Sequence, residues 1–194
     1  KFNQALTIPA GVTGEECLHG FLKNCTAFNS AVTIPAGVTG KGAMKRFLSG
    51  CTKFNQAITI PASLTGEQCL MRFLEYCSTF NQALTIPAGV TGARCLDHFL
   101  FRCISFNKAL TLPNALAGTA NMRGFMRDTW NMISTITVSA AAAEGMEING
   151  LTFGCFERSK TTFSTGITIA GDGATKFKEK CPNSTDTLPI RKFK

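Results

Sequence analysis

Apolar and polar positions recur along this chain with a step of 26 residues. The stretch "FNQALTIPAGVTGEECLHGFLKNCTA" (2–27) is followed by "FNSAVTIPAGVTGKGAMKRFLSGCTK" (28–53), and further copies begin at Phe54, Phe80 and Phe106. Leu6, Val32, Ile58, Leu84, Leu110 and Ile136 form one apolar column; Phe21, Phe47, Phe73, Phe99, Phe125, Leu151 and Phe177 form another. Cys25, Cys51, Cys77, Cys103, Cys155 and Cys181 form a third, interrupted by Thr129. A fixed period of this size, with apolar columns in register, indicates a solenoid in which each unit buries the apolar face of its neighbour. The predicted organisation is one solenoid over 1–194. Its regular repeats are 2–27, 28–53, 54–79, 80–105 and 106–131, followed by degenerate repeats and a C-terminal cap over 132–194.

Within a unit, Phe2, Leu6 and Ile8 are apolar and Thr7 is polar, an alternation that predicts a short strand ended by Pro9. Strands of successive units would pair in parallel. "PAGVTG" supplies turn residues around one apolar plug, Val12. "TGEECLHGFLKNC" then places Cys17, Leu18, Phe21, Leu22 and Cys25 where one face of a helix would gather them. Thr13 with Glu16, and Thr65 with Gln68, have the spacing of a capping box. One unit therefore reads as strand, turn, short helix and return.

The stretch "FLKNCTAFNSAVTIPAGVTG" resembles the BspA-like (Treponema pallidum-type) leucine-rich-repeat family, on Phe21, Cys25, Phe28, Val32, Ile34, Pro35 and Val38. The match recurs in each copy through Leu112 and Pro113. This chain departs from the family in its longer unit and in Phe where the family has Leu at the strand start. The resemblance implies a right-handed leucine-rich-repeat solenoid, an α/β repeat with a parallel β-sheet on one face and short helices on the other.

The pattern decays after residue 131. A strand survives at 136–138, "FERSK" (156–160) reads as an insertion, and "FSTGITIAG" restarts the strand five residues late. A last strand is expected at 187–190. Degenerate end units commonly close a solenoid. The first unit has no such closure, so its open edge offers a route to self-association.

Apolar residues make up 44 % of the 194 and charged ones 16 %, which argues for a packed chain rather than a disordered one. No apolar run approaches the ~20 residues of a membrane span. The net charge of +8 is spread along the chain and interrupted by acids, unlike a nucleic-acid-binding stripe. Nine cysteines admit three readings. In-register side chains point the same way, which disfavours bridges, and an odd total cannot pair completely. No C-x-x-C occurs, so no metal is expected. The favoured reading is small apolar packing; in the second column, Cys17, Cys69 and Cys95, Ala43 takes one place.

His19 and His98 have no recurring carboxylate partner, and Glu15, Glu16, Glu67 and Glu75 change type from copy to copy, so neither catalysis nor a cofactor is expected. The outward strand position is always Thr. The partner-binding expectation therefore falls on Gln4, Thr7, Thr33, Gln56, Thr59, Gln82, Thr85, Lys108 and Thr111. The structural ladder is expected at Phe2, Phe28, Phe54, Phe80 and Phe106 with the cysteines from Cys25 to Cys181. The resemblance implies a non-catalytic protein-interaction module of a secreted or cell-surface, adhesin-like protein that binds matrix or host-surface proteins. The alternative is a spacer array that presents another domain.

Overall fold

Pro35 supplies no N–H, so the bond that a parallel register would return to the Ile8 carbonyl is missing. Strands in the regular units are accordingly two residues long. In the computed structural model, which describes residues 1–113, 122–129, 131, 134–145 and 168–180, the chain is α/β and its paired strands are all parallel. β1 (Leu6–Thr7) pairs with β2 (Val32–Thr33); β3 (Leu110–Thr111), β4 (Thr135–Thr137) and β5 (Thr168–Ala170) form a second small sheet. Leu6 lies opposite Val32 and Leu110 opposite Ile136, so both sheets keep the sequence period.

Between the two sheets the side chains keep the alternation without assigned strands. Ile58, Ile60, Leu84 and Ile86 are buried, while Thr59 and Thr85 are exposed. The expected continuous sheet is therefore corrected, among the described residues, to two separate ones. An asparagine ladder spans the interval. Asn29 N–H donates to Asn3 Oδ1 (2.7 Å), Asn55 to Asn29 (2.8 Å), Asn81 to Asn55 (2.9 Å) and Asn107 to Asn81 (2.8 Å).

Two phenylalanine ladders fill the interior. Phe2, Phe28, Phe54, Phe80 and Phe106 stack with centroids 5.5, 5.8, 6.0 and 6.0 Å apart, their rings within 6° of parallel. Phe21, Phe47, Phe73, Phe99 and Phe125 stack at 6.2, 5.9, 5.8 and 5.8 Å, their rings within 12° of parallel. From Phe28 and Phe47 onward both ladders are fully buried, whereas Phe2 and Phe21 are half exposed.

Among the described residues, the helices expected in the regular units are not there. Residues 16–25 and their copies form overlapping turns, and the reason lies in the period. Cys17–Leu18, Phe21–Leu22 and Cys25 repeat every four residues, whereas a helix would drift by about 40° at each such step. The backbone resolves the mismatch by adopting positive φ at every fourth residue: Glu16 (51°), Gly20 (63°) and Asn24 (62°), then Gly42, Arg46 and Gly50, and so on to Asp128.

This conformation settles the N–H of Glu16 and every N–H from Leu18 to Cys25. Glu16, Leu18, Gly20, Leu22 and Asn24 donate to the carbonyls of Lys41, Ala43, Lys45, Phe47 and Ser49 in the next unit, at 2.8–2.9 Å. His19, Phe21, Lys23 and Cys25 donate three residues back, at 2.9–3.2 Å. The capping-box pairs consequently cap nothing: Glu16 and Gln68 are themselves among the positive-φ residues.

A non-glycine side chain in this backbone region costs roughly 1–2 kcal/mol. Gln68→Gly should therefore stabilise the protein by about 0.5–1 kcal/mol in urea unfolding, as Gly42 in the same column suggests. In a helix interior the same change would destabilise by about 1 kcal/mol. The sign of the shift in midpoint distinguishes the two backbones.

True helices occur only past residue 139 among the described residues. α1 (Ala140–Gly145) follows from the alanine run, and the Ser139 hydroxyl caps it by accepting from Ala142 N–H at 3.1 Å. α2 (Ala174–Lys180) packs beside it and buries Phe177. β5 pairs Ile169 with Ile136, two residues later than the expected restart. A slip of two keeps the inward and outward faces unchanged, so side-chain alternation could not distinguish the registers. Leu151, Cys155, Cys181, the insertion at 156–160 and the strand expected at 187–190 lie outside the described residues.

Candidate functional site

The strand side presents an uncharged row of threonines. Thr7, Thr33, Thr59, Thr85, Thr111 and Thr137 are all exposed, flanked by exposed Ala5, Ala31, Ala57, Ala83 and Ala109. None of these threonine hydroxyls makes a side-chain hydrogen bond among the described residues. Each keeps its donor and acceptor capacity for water or a partner.

The amides expected beside them are placed differently. Gln56 Nε2 donates to Asn29 Oδ1 (3.2 Å), and Gln82 Nε2 donates to the Asn55 carbonyl and Oδ1 (3.1 Å each). Both side chains are half-buried parts of the asparagine ladder, as is Ser30, which donates to Asn3 Oδ1 at 3.0 Å. Gln4 and Lys108 are exposed. The structure therefore groups the threonines and Lys108 on the open face and ties Gln56 and Gln82 into the scaffold.

The cysteine column does more than fill space. Cys51, Cys77 and Cys103 thiols donate to the carbonyls of Leu22, Leu48 and Leu74 at 3.0, 3.2 and 3.0 Å. Thr129, which breaks the column in sequence, donates its hydroxyl to the Leu100 carbonyl at 3.0 Å. What the slot selects is a small side chain with a donor. In the second column Cys69 and Cys95 reach Leu64 and Val90 carbonyls only at 3.7 Å, and there Ala43 is accepted. All seven described cysteines are thiols. Burial pushes Cys51 and Cys69 up to about 12 and raises Cys77 well above the ordinary thiol range.

The donor requirement is testable at Cys77. Cys77→Thr should unfold close to wild type, since Thr129 shows the same substitution two units on. Cys77→Val keeps the volume of threonine and loses the donor, so it should unfold about 1 kcal/mol more easily. Equal urea midpoints for the two variants would reduce the slot to packing alone.

The turn side of the third to fifth units carries a cluster that sequence comparison passed over. Glu75, Asp97 and Asp128 are 3 %, 0 % and 1 % exposed, so their charges require partners. Arg72 Nη1 meets Glu75 Oε1 at 2.7 Å, and Ser49 from the preceding unit donates to Oε2 at 3.1 Å. Arg94 Nη2 lies 3.1 Å from Asp97 Oδ2, and Arg102 Nε lies 3.0 Å from Asp128 Oδ2 across the unit boundary. His98 Nδ1 contacts Asp97 Oδ1 at 2.6 Å, and its ring stands edge-on to Phe101 at 5.4 Å. The Arg102 guanidinium lies over the rings of Tyr76 (5.4 Å) and Phe101 (5.5 Å), and Arg127 lies over Phe101 at 6.0 Å.

Asp97 and His98 hold one another in the manner that orients a catalytic imidazole. The opposite edge of the ring lies against Gly124, where even a methyl group would approach Nε2 to 2.9 Å. Among the described residues no hydroxyl or thiol is hydrogen-bonded to that ring. The signal for this cluster was present in sequence as an arginine three residues before each of Glu75 and Asp97. Reading each copy against the others hid it, because those positions differ between units. Comparison of the chain with protein-family models, with curated proteins and with solved structures finds no match.

Proposed function

We propose that the chain is a leucine-rich-repeat solenoid of the BspA-like kind, divided as 2–27, 28–53, 54–79, 80–105, 106–131 and a degenerate end, and that it serves as a non-catalytic protein-binding module. The observation that carries this reading is the open row from Thr7 to Thr111, exposed and without side-chain hydrogen bonds of its own. A flat face of hydroxyls and methyls suits an extended partner chain. Its uniformity favours a repetitive partner over a bespoke one. By its resemblance the module belongs on a secreted or cell-surface, adhesin-like protein that contacts matrix or host-surface proteins.

The spacer reading has its own support: Asn29, Asn55, Gln56 and Gln82 are engaged within the scaffold, and the units are nearly interchangeable. Deleting residues 54–79 would bring Phe28 against Phe80 as it now meets Phe54, so the shortened chain should fold and unfold cooperatively with a smaller m-value. A binder that reads the threonine row should lose affinity for immobilised matrix proteins on this deletion, and again on Thr59→Lys with Thr85→Lys. Undiminished binding in both variants would favour the spacer.

A further inference from the structure

We infer that the turn side of the third to fifth units is a second recognition surface, separate from the threonine row, and that it takes an acidic polypeptide segment bearing aromatic or aliphatic side chains. The inference begins with how the charges are layered. In these units Arg72, Arg94, Arg102, Arg123 and Arg127 outnumber the acids Glu67, Glu75, Asp97 and Asp128, and Arg72, Arg94 and Arg102 pair with Glu75, Asp97 and Asp128. Glu75, Asp97 and Asp128 are buried, whereas the Arg72, Arg94 and Arg102 side chains are 28 %, 38 % and 44 % exposed and Arg123 is exposed. Across the fourth and fifth units a partner therefore meets guanidinium before carboxylate, and Glu67, the exposed acid of the third, is paired with Lys41.

The first two units lack this layering. Glu16 of the first unit is itself at the surface beside His19 and Lys45, and Lys41 of the second unit pairs with the exposed Glu67 carboxylate at the near edge of the third, so the exposed signs cancel along that side. Buried carboxylates in the later units also hold the guanidiniums in place before any partner arrives, which lowers the ordering cost of binding. A pre-oriented guanidinium retains donors beyond the one used internally, and its planar fork matches a carboxylate.

Apolar area lies beside the charge. Tyr76 and Ile104 are 40 % and 37 % exposed, the two large apolar residues exposed away from the first unit among the described residues. Tyr76 and Phe101 pack edge to face at 5.2 Å with Arg102 against both rings. Tyrosine, phenylalanine and arginine gathered at one point is the composition of protein-binding hot spots. It favours a peptide with apolar anchors over a sulfated glycan, which would use the cations alone.

The test uses the whole chain and fluorescence anisotropy of a labelled peptide repeating Glu-Glu-Ala-Phe, beside one repeating Lys-Lys-Ala-Phe and a labelled heparin fragment. The acidic peptide should bind, weaken as NaCl is raised, and outcompete both other probes. Arg123→Gln, a surface change, should weaken it about tenfold, and Tyr76→Ser should weaken it as well. Lys53→Gln and Lys108→Gln, away from this side, should leave it unchanged. Urea midpoints close to wild type would confirm that Arg123→Gln and Tyr76→Ser fold. No binding, equal binding of the lysine peptide, or insensitivity to Arg123→Gln and Tyr76→Ser would overturn the inference. Preference for heparin would overturn it in favour of a glycan.

Discussion

Truncating Phe54 to alanine should lower the unfolding free energy by about 3–5 kcal/mol, as large core truncations do. Phe54 has no exposed surface and is sandwiched between Phe28 at 5.8 Å and Phe80 at 6.0 Å, so the loss removes two ring contacts along with the buried area. Units on both sides are pinned by backbone bonds such as Leu22 N–H to Phe47 O (2.9 Å) and Leu48 N–H to Phe73 O (3.0 Å), which keeps the cavity from collapsing. Phe73→Ala, in the second ladder, should cost a similar amount. Phe2→Ala is the internal control: that ring is 46 % exposed and has a single stacked neighbour, so it should cost less than half as much. Because Phe54 and Phe80 share a contact, the double variant Phe54→Ala with Phe80→Ala should fall short of additivity by roughly 0.5–1.5 kcal/mol. Urea unfolding followed by far-ultraviolet circular dichroism measures these four and the Phe80→Ala single variant that the additivity comparison requires. Wild-type stability for Phe54→Ala would refute the inward assignment on which the architecture depends.

Much of the architecture was readable because the repeat acts as its own alignment. A column that stays apolar across five copies, as with Phe28 to Phe106, marks an inward position whatever the backbone does between columns. The same comparison exposed the threonine row, where an outward position nonetheless keeps one residue type. The backbone of the turn side was the misreading. Pairs of apolar residues at i, i+1, i+4 and i+5 suggest a helical face, although the strict period of four is itself the contrary signal. Glycine at 20, 42, 50 and 124 was another, since these positions share columns with the other residues at positive φ. Tertiary hydrogen bonding to the next unit overrode the local preference for i to i−4 bonding.

The Thr-Gly steps had a cause that single-chain reading could not supply. A side chain at Gly66 or Gly92 would collide with the carbonyl of Gly40 or Gly66 in the unit before it, so the column must stay bare for units to approach. The candidate sites were legible in unequal measure. Gln56 and Gln82 look like neighbours of the threonines in sequence, and only the fold shows their amides donating to the asparagine ladder. The arginine and carboxylate cluster leaves only an i, i+3 trace in the sequence, and repeat comparison hides it by treating variation as freedom. There the variation is coordinated: Arg102 of one unit needs Asp128 of the next.

Raising the pH above about 8.5 should destabilise the folded chain steeply, because its buried thiols must stay protonated. Cys51, Cys69, Cys77, Cys95 and Cys103 are fully enclosed, and desolvation raises all five, Cys51 and Cys69 to about 12. In the unfolded chain each ionises near its ordinary value of about 8.5. Above that pH the unfolded state binds fewer protons than the folded one, so unfolding free energy falls as pH rises. The contribution is intact below about 8.5 and is progressively lost towards 12, at up to about 1.4 kcal/mol per pH unit for each thiol. Measuring urea unfolding between pH 8.5 and 10 keeps most lysine titration out of the window. Cys77→Thr with Cys103→Thr supplies the control, since a hydroxyl in that slot donates as Thr129 does and does not ionise. The double variant should match wild type at pH 7 and show a shallower loss, reduced by the share of two thiols in five. A flat profile in wild type, or the same slope in both proteins, would mean that these sulfurs are not held as buried donors.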